Sequence, residues 1–465
     1  MRYPHPVRVL RPACALLSLL VAMAGPPMAH AQSSREKLLA RLDSLAGAPV
    51  QEGRAVGISV AVVHGSDTLL LRGYGKADLE LDVKTPDRAV YEIGSVTKQF
   101  TAAAILKLRD EGKLDLEADL TTYLPGYPTA GHKLPLRRLL DHTSGIKGLT
   151  EIPAFRQLRV RQLPRDSAVA LFSALPFEFA PGEAMIYNNS AYFLLGLIIE
   201  KVSGMSYEDY VEQRIFAPLG MKDSRYCSNS EVVQHRAHGY EFDGQTVRRA
   251  DYINHTWPFS AGSLCSTTGD LVAWLTALHG GKVLSERSYR EMTTSARLND
   301  GTELRYGMGL SVGTDVRGAR LIGHGGAISG FTADASWYPD ARLAVVVLMN
   351  SAGPVSPSAL ASELAGEIIP PVRPMARLFI GDAAPLLGKY AGPSRGREMI
   401  VEVTPAAQGV AVAVNGGTAR PLSWVDGWKF RLGGAILVFE RLDATGHTGV
   451  LRYDTGGGHF VLRRQ

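Results

Sequence analysis

The sequence predicts an α+β fold, an antiparallel sheet covered by helices, followed by a small all-β domain. Three observations carry that prediction. Strand patterns stand at both ends of the first ~370 residues, apolar helical segments lie between them, and only short strand patterns remain beyond a proline cluster. The 465 residues are enough for a full core and more than one domain. With 45% hydrophobic and 20% charged residues, the chain is neither disordered nor fibrous.

The elements follow in order. Residues 1–31 have the plan of a secretory leader: Arg2, Arg8 and Arg11, a short apolar stretch at 13–24, then Ala29-His30-Ala31 as a small-x-small cleavage pattern. The stretch is too short for a permanent span, although an uncleaved anchor is the alternative. Cleavage removes three arginines and lowers the formal charge from +5 to about +2. No basic run with interleaved aromatics points to nucleic acid. Residues 36–45 read as a short amphipathic helix. Residues 57–63 and 68–74 read as strands joined by His64-Gly65-Ser66-Asp67.

Residues 97–108 are apolar on several faces, which predicts a buried helix. A second apolar helix is predicted over 191–202, with Asn189 and Ser190 as caps and Gly204 as its stop. A third is predicted over 270–279, after Ser266-Thr267-Thr268. Residues 331–338 and 343–349 flank Pro339-Asp340-Ala341 as a second hairpin, its Val-rich strand buried on both faces. Together these place one domain at 32–369. Pro370, Pro371 and Pro374 mark a linker over 370–385. Short strands at 399–403, 410–414, 429–432, 436–439 and 460–462, with Asn415-Gly416 as a tight turn, predict a small barrel at 386–465.

The chemistry centres on Ser95 and Lys98. In a helix starting near Ser95, Lys98 lies one turn on and faces the same way. A serine hydroxyl is a weak nucleophile and needs a base, and a lysine serves when burial lowers its pKa. The apolar continuation from Ala102 to Leu106 supplies that burial, and the N–H groups of a helix start suit a developing oxyanion. Ser144 and Lys147 repeat the S-x-x-K spacing, but Gly145 and Gly148 make that segment a loop. By itself the spacing more often describes a capping serine with a surface lysine, so context must decide. Cys227 and Cys265 either form a disulfide or remain buried thiols, and without histidine at ligand spacing they make no metal site.

The order of motifs resembles the class C β-lactamase and penicillin-binding-protein-like serine hydrolases over roughly residues 50–352. Ile93-Gly94-Ser95-Val96-Thr97-Lys98 looks like the first motif, and residues 139–145 (LLDHTSG) resemble the L-L-x-H-T-S-G loop. Pro181-Gly182-Glu183 leads to Tyr187-Asn188-Asn189, similar to Y-x-N. Pro218-Leu219-Gly220-Met221 and Ser266-Thr267 resemble further stretches, and His324-Gly325-Gly326 takes the place of K-T-G or H-x-G. The resemblance implies a β-lactamase/transpeptidase-like fold and an acyl-enzyme on Ser95. Lys98 and Tyr187 would share the proton, and a phenol beside an ammonium is expected to ionise more easily. Asn189 would bond Lys98 or the substrate amide, and the N–H groups of Ser95 and Ala327 would hold the oxyanion.

His142 reads as a structural hydrogen-bonder, and Asp141 as a solvated or capping carboxylate. His324 lines the site or satisfies a buried carbonyl. A second Y-x-N, Tyr252-Ile253-Asn254, lacks the preceding Pro-Gly. Histidine at 324 replaces the lysine that binds a β-lactam carboxylate and lowers the expectation of β-lactam hydrolysis. Gly388-Lys389-Tyr390-Ala391-Gly392 looks like the start of the accessory barrels of peptidase and esterase relatives. The expected protein is a periplasmic or secreted serine hydrolase of peptidase or esterase type. It acts on a small-molecule or peptide amide or ester, with no cofactor, metal, nucleic acid or lasting membrane span. A β-lactamase and a non-catalytic peptidoglycan-fragment binder or sensor are the alternatives.

Overall fold

A computed structural model describes residues 1, 28–371, 379–407 and 409–465. The leader expected at 1–31 therefore lies almost wholly outside the described residues, as does the middle of the stretch at 370–385. Among the described residues no helix is long and apolar enough to cross a membrane.

The two hairpins expected from opposite ends of the first region meet in one sheet. Its seven strands run Ser311–Thr314, Arg320–Ile328, Phe331–Tyr338, Leu343–Met349, Gly57–His64, Asp67–Asp78, Val83–Lys84, all antiparallel. Leu343–Met349 is buried along its whole length because both of its faces are covered. Ala344, Val346 and Leu348 join the larger core, under the helices of the middle of the chain. Leu343, Val345, Val347 and Met349 join a second core with Leu42, Ala46, Leu360 and Leu364. Those last four come from the helices Met28–Gln51 and Pro357–Gly366, so both ends of the region close over one face. The first of these helices is longer than the 36–45 segment that the sequence predicts.

The helix expected over 97–108 is Thr97–Asp110, buried continuously from Thr97 to Leu106. The helix expected over 191–202 is Asn189–Ser203, ending at Gly204 with φ +72°. Its cap is neither Asn189 nor Ser190. Asn188 Oδ1 accepts from Ala191 N at 2.9 Å, which leaves the Asn189 and Ser190 side chains for other partners. Thr268–His279 is capped by Thr267, as its Ser-Thr-Thr lead-in suggests. Cys227 and Cys265 form a disulfide with Cα atoms 5.2 Å apart. Cys265 lies opposite Glu92, so the link braces the short strand that leads to Ser95.

The strand Arg320–Ile328 has no periodic signal in the sequence, because glycines at 323, 325 and 326 hide its alternation. It pairs with Ser311–Thr314 only through residue 323. Beyond that point one edge is free of a strand partner, and the turn carrying Ser95 fills it. A Cβ on Gly326 would lie 2.0 Å from Ile93 O, and Gly94 takes φ +48° with its own Cβ position 2.9 Å from the Ala327 backbone. Only glycine fits at either place.

The C-terminal segment forms a barrel-like sheet around Tyr390, Val401, Phe430, Leu437, Leu451 and Leu462. All five strand segments expected there fall within its strands, while Asn415-Gly416 turns the chain after Gly409–Val414. The sheet counts ten strands, and one of them is Met185–Ile186 from the first region. Gly458 stands opposite Ile186, and His459 opposite Met185. Ile186 also contributes its side chain to the barrel core. Arg305 reinforces the junction through Asp454 at 3.1 Å.

One buried acid on the central sheet gives a test. Burial raises the Asp334 carboxyl to about 7, with a hydrogen bond from Ser336 as its partial compensation. A carboxyl raised in the folded state favours folding below its unfolded pKa and loses that advantage as pH rises through the folded value. From pH 5 to pH 8 this group is expected to remove about 2–3 kcal/mol of stability. Asp334→Asn should flatten the fall by that amount in urea unfolding at the two pH values, and an unchanged slope would contradict it.

Candidate active site

Local sequence places Ser95 at an opening. From Ala89 to Leu106 every residue except Ser95 is buried. A 3₁₀ turn at Gly94–Val96 presents the serine, and the helix Thr97–Asp110 starts directly after it. Lys98 is fully buried one turn on, with Nζ 3.1 Å from Ser95 Oγ. The amine also donates to Asn189 Oδ1 at 2.8 Å and to the Ala261 carbonyl at 2.7 Å. Burial pushes its pKa well below the ordinary lysine value.

Ala261 is missed by sequence reasoning because it acts through its backbone. Its turn, Phe259–Gly262, is wedged between two helices. Ser260 Oγ donates to Tyr192 O at 2.8 Å, and Thr101 Oγ1 donates to Ser260 O at 2.6 Å. Gly196 allows the approach, since a Cβ there would lie 2.1 Å from Ser260 Oγ. Phe259 takes φ +40°, a conformation that a bulky residue keeps only where its surroundings hold it. Phe193 and Tyr207 pack on its ring at 5.0 and 5.2 Å.

Tyr187 follows directly on the strand shared with the barrel. Lys98 Nζ lies 4.7 Å from its ring centroid, and its hydroxyl is buried beside the Ser95 hydroxyl. Burial raises its pKa above the ordinary tyrosine value, against smaller lowering effects from the Ser95 hydroxyl and the Arg395 charge. The expected easier ionisation is thus reversed, because the amine beside it is itself driven towards neutrality and desolvation wins. Asn189 is fixed from its other end, where Nδ2 donates to Thr150 Oγ1 at 3.3 Å. The backbone of Ala327 lies against Gly94, next to Ser95, on the free edge of the strand Arg320–Ile328.

Two histidines and one tyrosine form a directed chain behind Tyr187. Asn188 N donates to His142 Nδ1 at 3.0 Å, so His142 carries its proton on Nε2 and donates to Tyr306 Oη at 3.2 Å. Tyr306 Oη then donates to His324 Nε2 at 2.9 Å, and His324 Nδ1 donates to Gly325 O at 2.5 Å. Every link is consistent with two neutral rings. Burial lowers His142 well below the usual histidine value and His324 to about 3. His324 therefore satisfies a carbonyl with one nitrogen and Tyr306 with the other. Tyr306 carried no motif in the sequence, and its lone aromatic signal is indistinguishable from core.

The competing residues fall elsewhere. Lys147 pairs with Glu178 at 2.8 Å, away from the buried Ser144 hydroxyl. Tyr252 is exposed, and Asn254 accepts from Thr256. Asp141 is buried rather than solvated; it accepts from Thr143 N and Oγ1, and burial raises it to about 6. A cavity of about 1140 Å³ beside Cys227 contains none of the reactive residues.

The site is thus a buried lysine between a serine and the asparagine of a Y-x-N segment, at the free edge of an antiparallel sheet. Residues 42–370 match the model of the Beta-lactamase family, and the chain belongs to that family. It is 29% identical over 314 residues to penicillin-binding protein 4* of Bacillus subtilis, covering 63% of this chain and 67% of that protein. It is 28% identical over 318 residues to protein flp of Staphylococcus aureus, covering 67% of this chain and 62% of that one, just under two thirds. Among solved structures, the D-amino acid amidase of Ochrobactrum anthropi superposes with a TM-score of 0.62 at 25% identity, over 71% of this chain and 98% of its own. The D-stereospecific amidohydrolase of Streptomyces sp. gives 0.60 at 27%, over 70% and 97%. The octameric penicillin-binding protein homologue of Pyrococcus abyssi gives 0.64 at 25%, over 91% and 100%.

Tyr306 offers a test of the chain behind the site. Tyr306→Phe leaves a buried donor on His142 and a buried acceptor on His324, each worth about 1–3 kcal/mol. Urea unfolding is expected to show a loss of about 2–4 kcal/mol. A loss under about 0.5 kcal/mol would mean that the two rings are not held this way.

Proposed function

We propose that the protein is an exported serine hydrolase that cleaves an amide or ester through an acyl-enzyme on Ser95. The single observation that carries this reading is the partner set of Lys98. A neutral amine has two N–H groups and one lone pair. Asn189 Oδ1 and Ala261 O can only accept, so they take both N–H groups, and the lone pair is left for the hydroxyl of Ser95. That arrangement is a general base aimed at its nucleophile.

In this reading Ser95 Oγ attacks the carbonyl carbon while its proton passes to Lys98 Nζ. The oxyanion is received by the N–H groups of Ser95 and Ala327. Tyr187, kept protonated by burial, gives its proton to the leaving amine or alkoxide and is reprotonated from Lys98. Water then attacks the ester carbonyl with the same groups acting in reverse. His324 stays neutral and fully engaged, which supports an amidase, peptidase or esterase over a β-lactamase. The names of the two structural neighbours, a D-amino acid amidase and a D-stereospecific amidohydrolase, support D-amino-acid amides or peptides as the substrate class. Export is supported by the leader pattern at 1–31 and by the disulfide, which persists in oxidising compartments.

Incubation with a fluorophosphonate should give one adduct by intact mass, absent from Ser95→Ala; labelling that persists in that variant excludes Ser95. Lys98→Met and Tyr187→Phe are each expected to lower kcat by about 10²–10⁴ on a D-amino-acid p-nitroanilide. The acid limb of kcat/KM should level off well below the ordinary lysine pKa of about 10.4, because Lys98 must be neutral to act.

A further inference from the structure

The barrel reaches the catalytic cleft with a charge. Arg395 sits at the tip of the hairpin formed by Gly388–Ser394 and Arg397–Ala406, and its Cζ lies 5.8 Å from the centroid of the Tyr187 ring. The tip is held in place. Arg395 Nη2 donates to Gly457 O at 2.9 Å, one residue before the strand that pairs with Met185–Ile186. The other side of the tip rests on the first region, where a Cβ on Gly396 would meet Lys147 Nζ at 3.0 Å and Glu151 Cβ at 3.1 Å.

A cleft of about 620 Å³ runs between this hairpin and residues 150–156. Thr150, on its wall, is the residue that holds Asn189, so the cleft begins two hydrogen bonds from Lys98. The guanidinium is exposed and, among the described residues, makes no salt bridge; its hydrogen bond to Gly457 leaves most of its five donors open. Burial, seconded by Glu178, holds the Glu151 carboxyl towards its protonated form against the smaller pull of Arg395, and Thr150 Oγ1 donates to one of its oxygens at 3.1 Å. Lys98 cannot serve an anion, being buried and fully engaged.

We propose that Arg395, supplied by the C-terminal barrel, is the specificity-determining cation of the site and receives a free carboxylate on the leaving-group side of the substrate. The side follows from Tyr187, over which the guanidinium lies and which hands its proton to the leaving group. A planar guanidinium with open donors matches a carboxylate in bidentate geometry. The preferred substrate is then an acyl-amino acid or peptide cut at its last amide bond. This rests on the serine-hydrolase reading above and assigns the barrel a part in it.

The test measures how far a ligand slows fluorophosphonate labelling of Ser95 in the full chain. Acetyl-D-alanyl-D-alanine with a free carboxylate and its C-terminal amide are compared as protecting ligands. The free acid is expected to protect the wild type at ≥10-fold lower concentration than the amide. In Arg395→Ala that ratio should fall to within about 2-fold of unity, and Arg395→Lys should recover part of it, since charge without the planar fork is a weaker match. Equal protection by acid and amide in the wild type, no protection by the acid, or a ratio unchanged in Arg395→Ala would overturn the proposal. Those results leave Ser95 labelling intact, whereas failure of the serine-hydrolase reading shows as no Ser95 adduct at all.

Discussion

The burial of one amine organises this site. Lys98 sits in the first turn of a helix whose faces are all covered, and an ammonium there would forfeit its hydration for three neutral partners. The protein answers that penalty by favouring the uncharged form. What surrounds Lys98 then has one purpose, to decide where two N–H groups and a lone pair point. Asn189 is set by Thr150, the Ala261 carbonyl by a strained turn at Phe259, and Ser95 by a glycine with positive φ.

Neutrality spreads outward from that amine. Tyr187 remains a proton donor because burial outweighs the help it has in ionising, and the two histidines behind it form one directed chain through Tyr306. The site therefore holds several titratable groups yet little fixed charge. Its centre is arranged to move a proton rather than to hold an anion.

The barrel is joined to that centre by backbone as well as by side chains. Its sheet takes Met185–Ile186 as a strand, and the next residue is Tyr187. A displacement of the barrel would carry the Y-x-N segment with it. Physically, the two parts share a core, a ladder and an ion pair, so they are built as one unit rather than as a domain with an appendage.

What the sequence determined by itself was whatever depends on local pattern. The hairpins at 57–74 and 331–349, the buried helix after Ser95 and the barrel strands follow from periodicity and turn residues over short spans. Ser95, Lys98, Tyr187 and Asn189 were legible because their side-chain chemistry and order are distinctive. The tertiary structure alone decided what depends on long-range approach. Ala261 acts through a carbonyl that any residue could supply, and Tyr306 is one aromatic among many. The strand Arg320–Ile328 exists because a partner strand and the turn at Ser95 lie on either side of its glycines. The sign of the Tyr187 shift was decided there too, since the competition between a neighbouring charge and desolvation depends on how completely both groups are buried. Arg395 lies about 200 residues from Tyr187, and no local pattern reports that a hairpin tip will return to that ring.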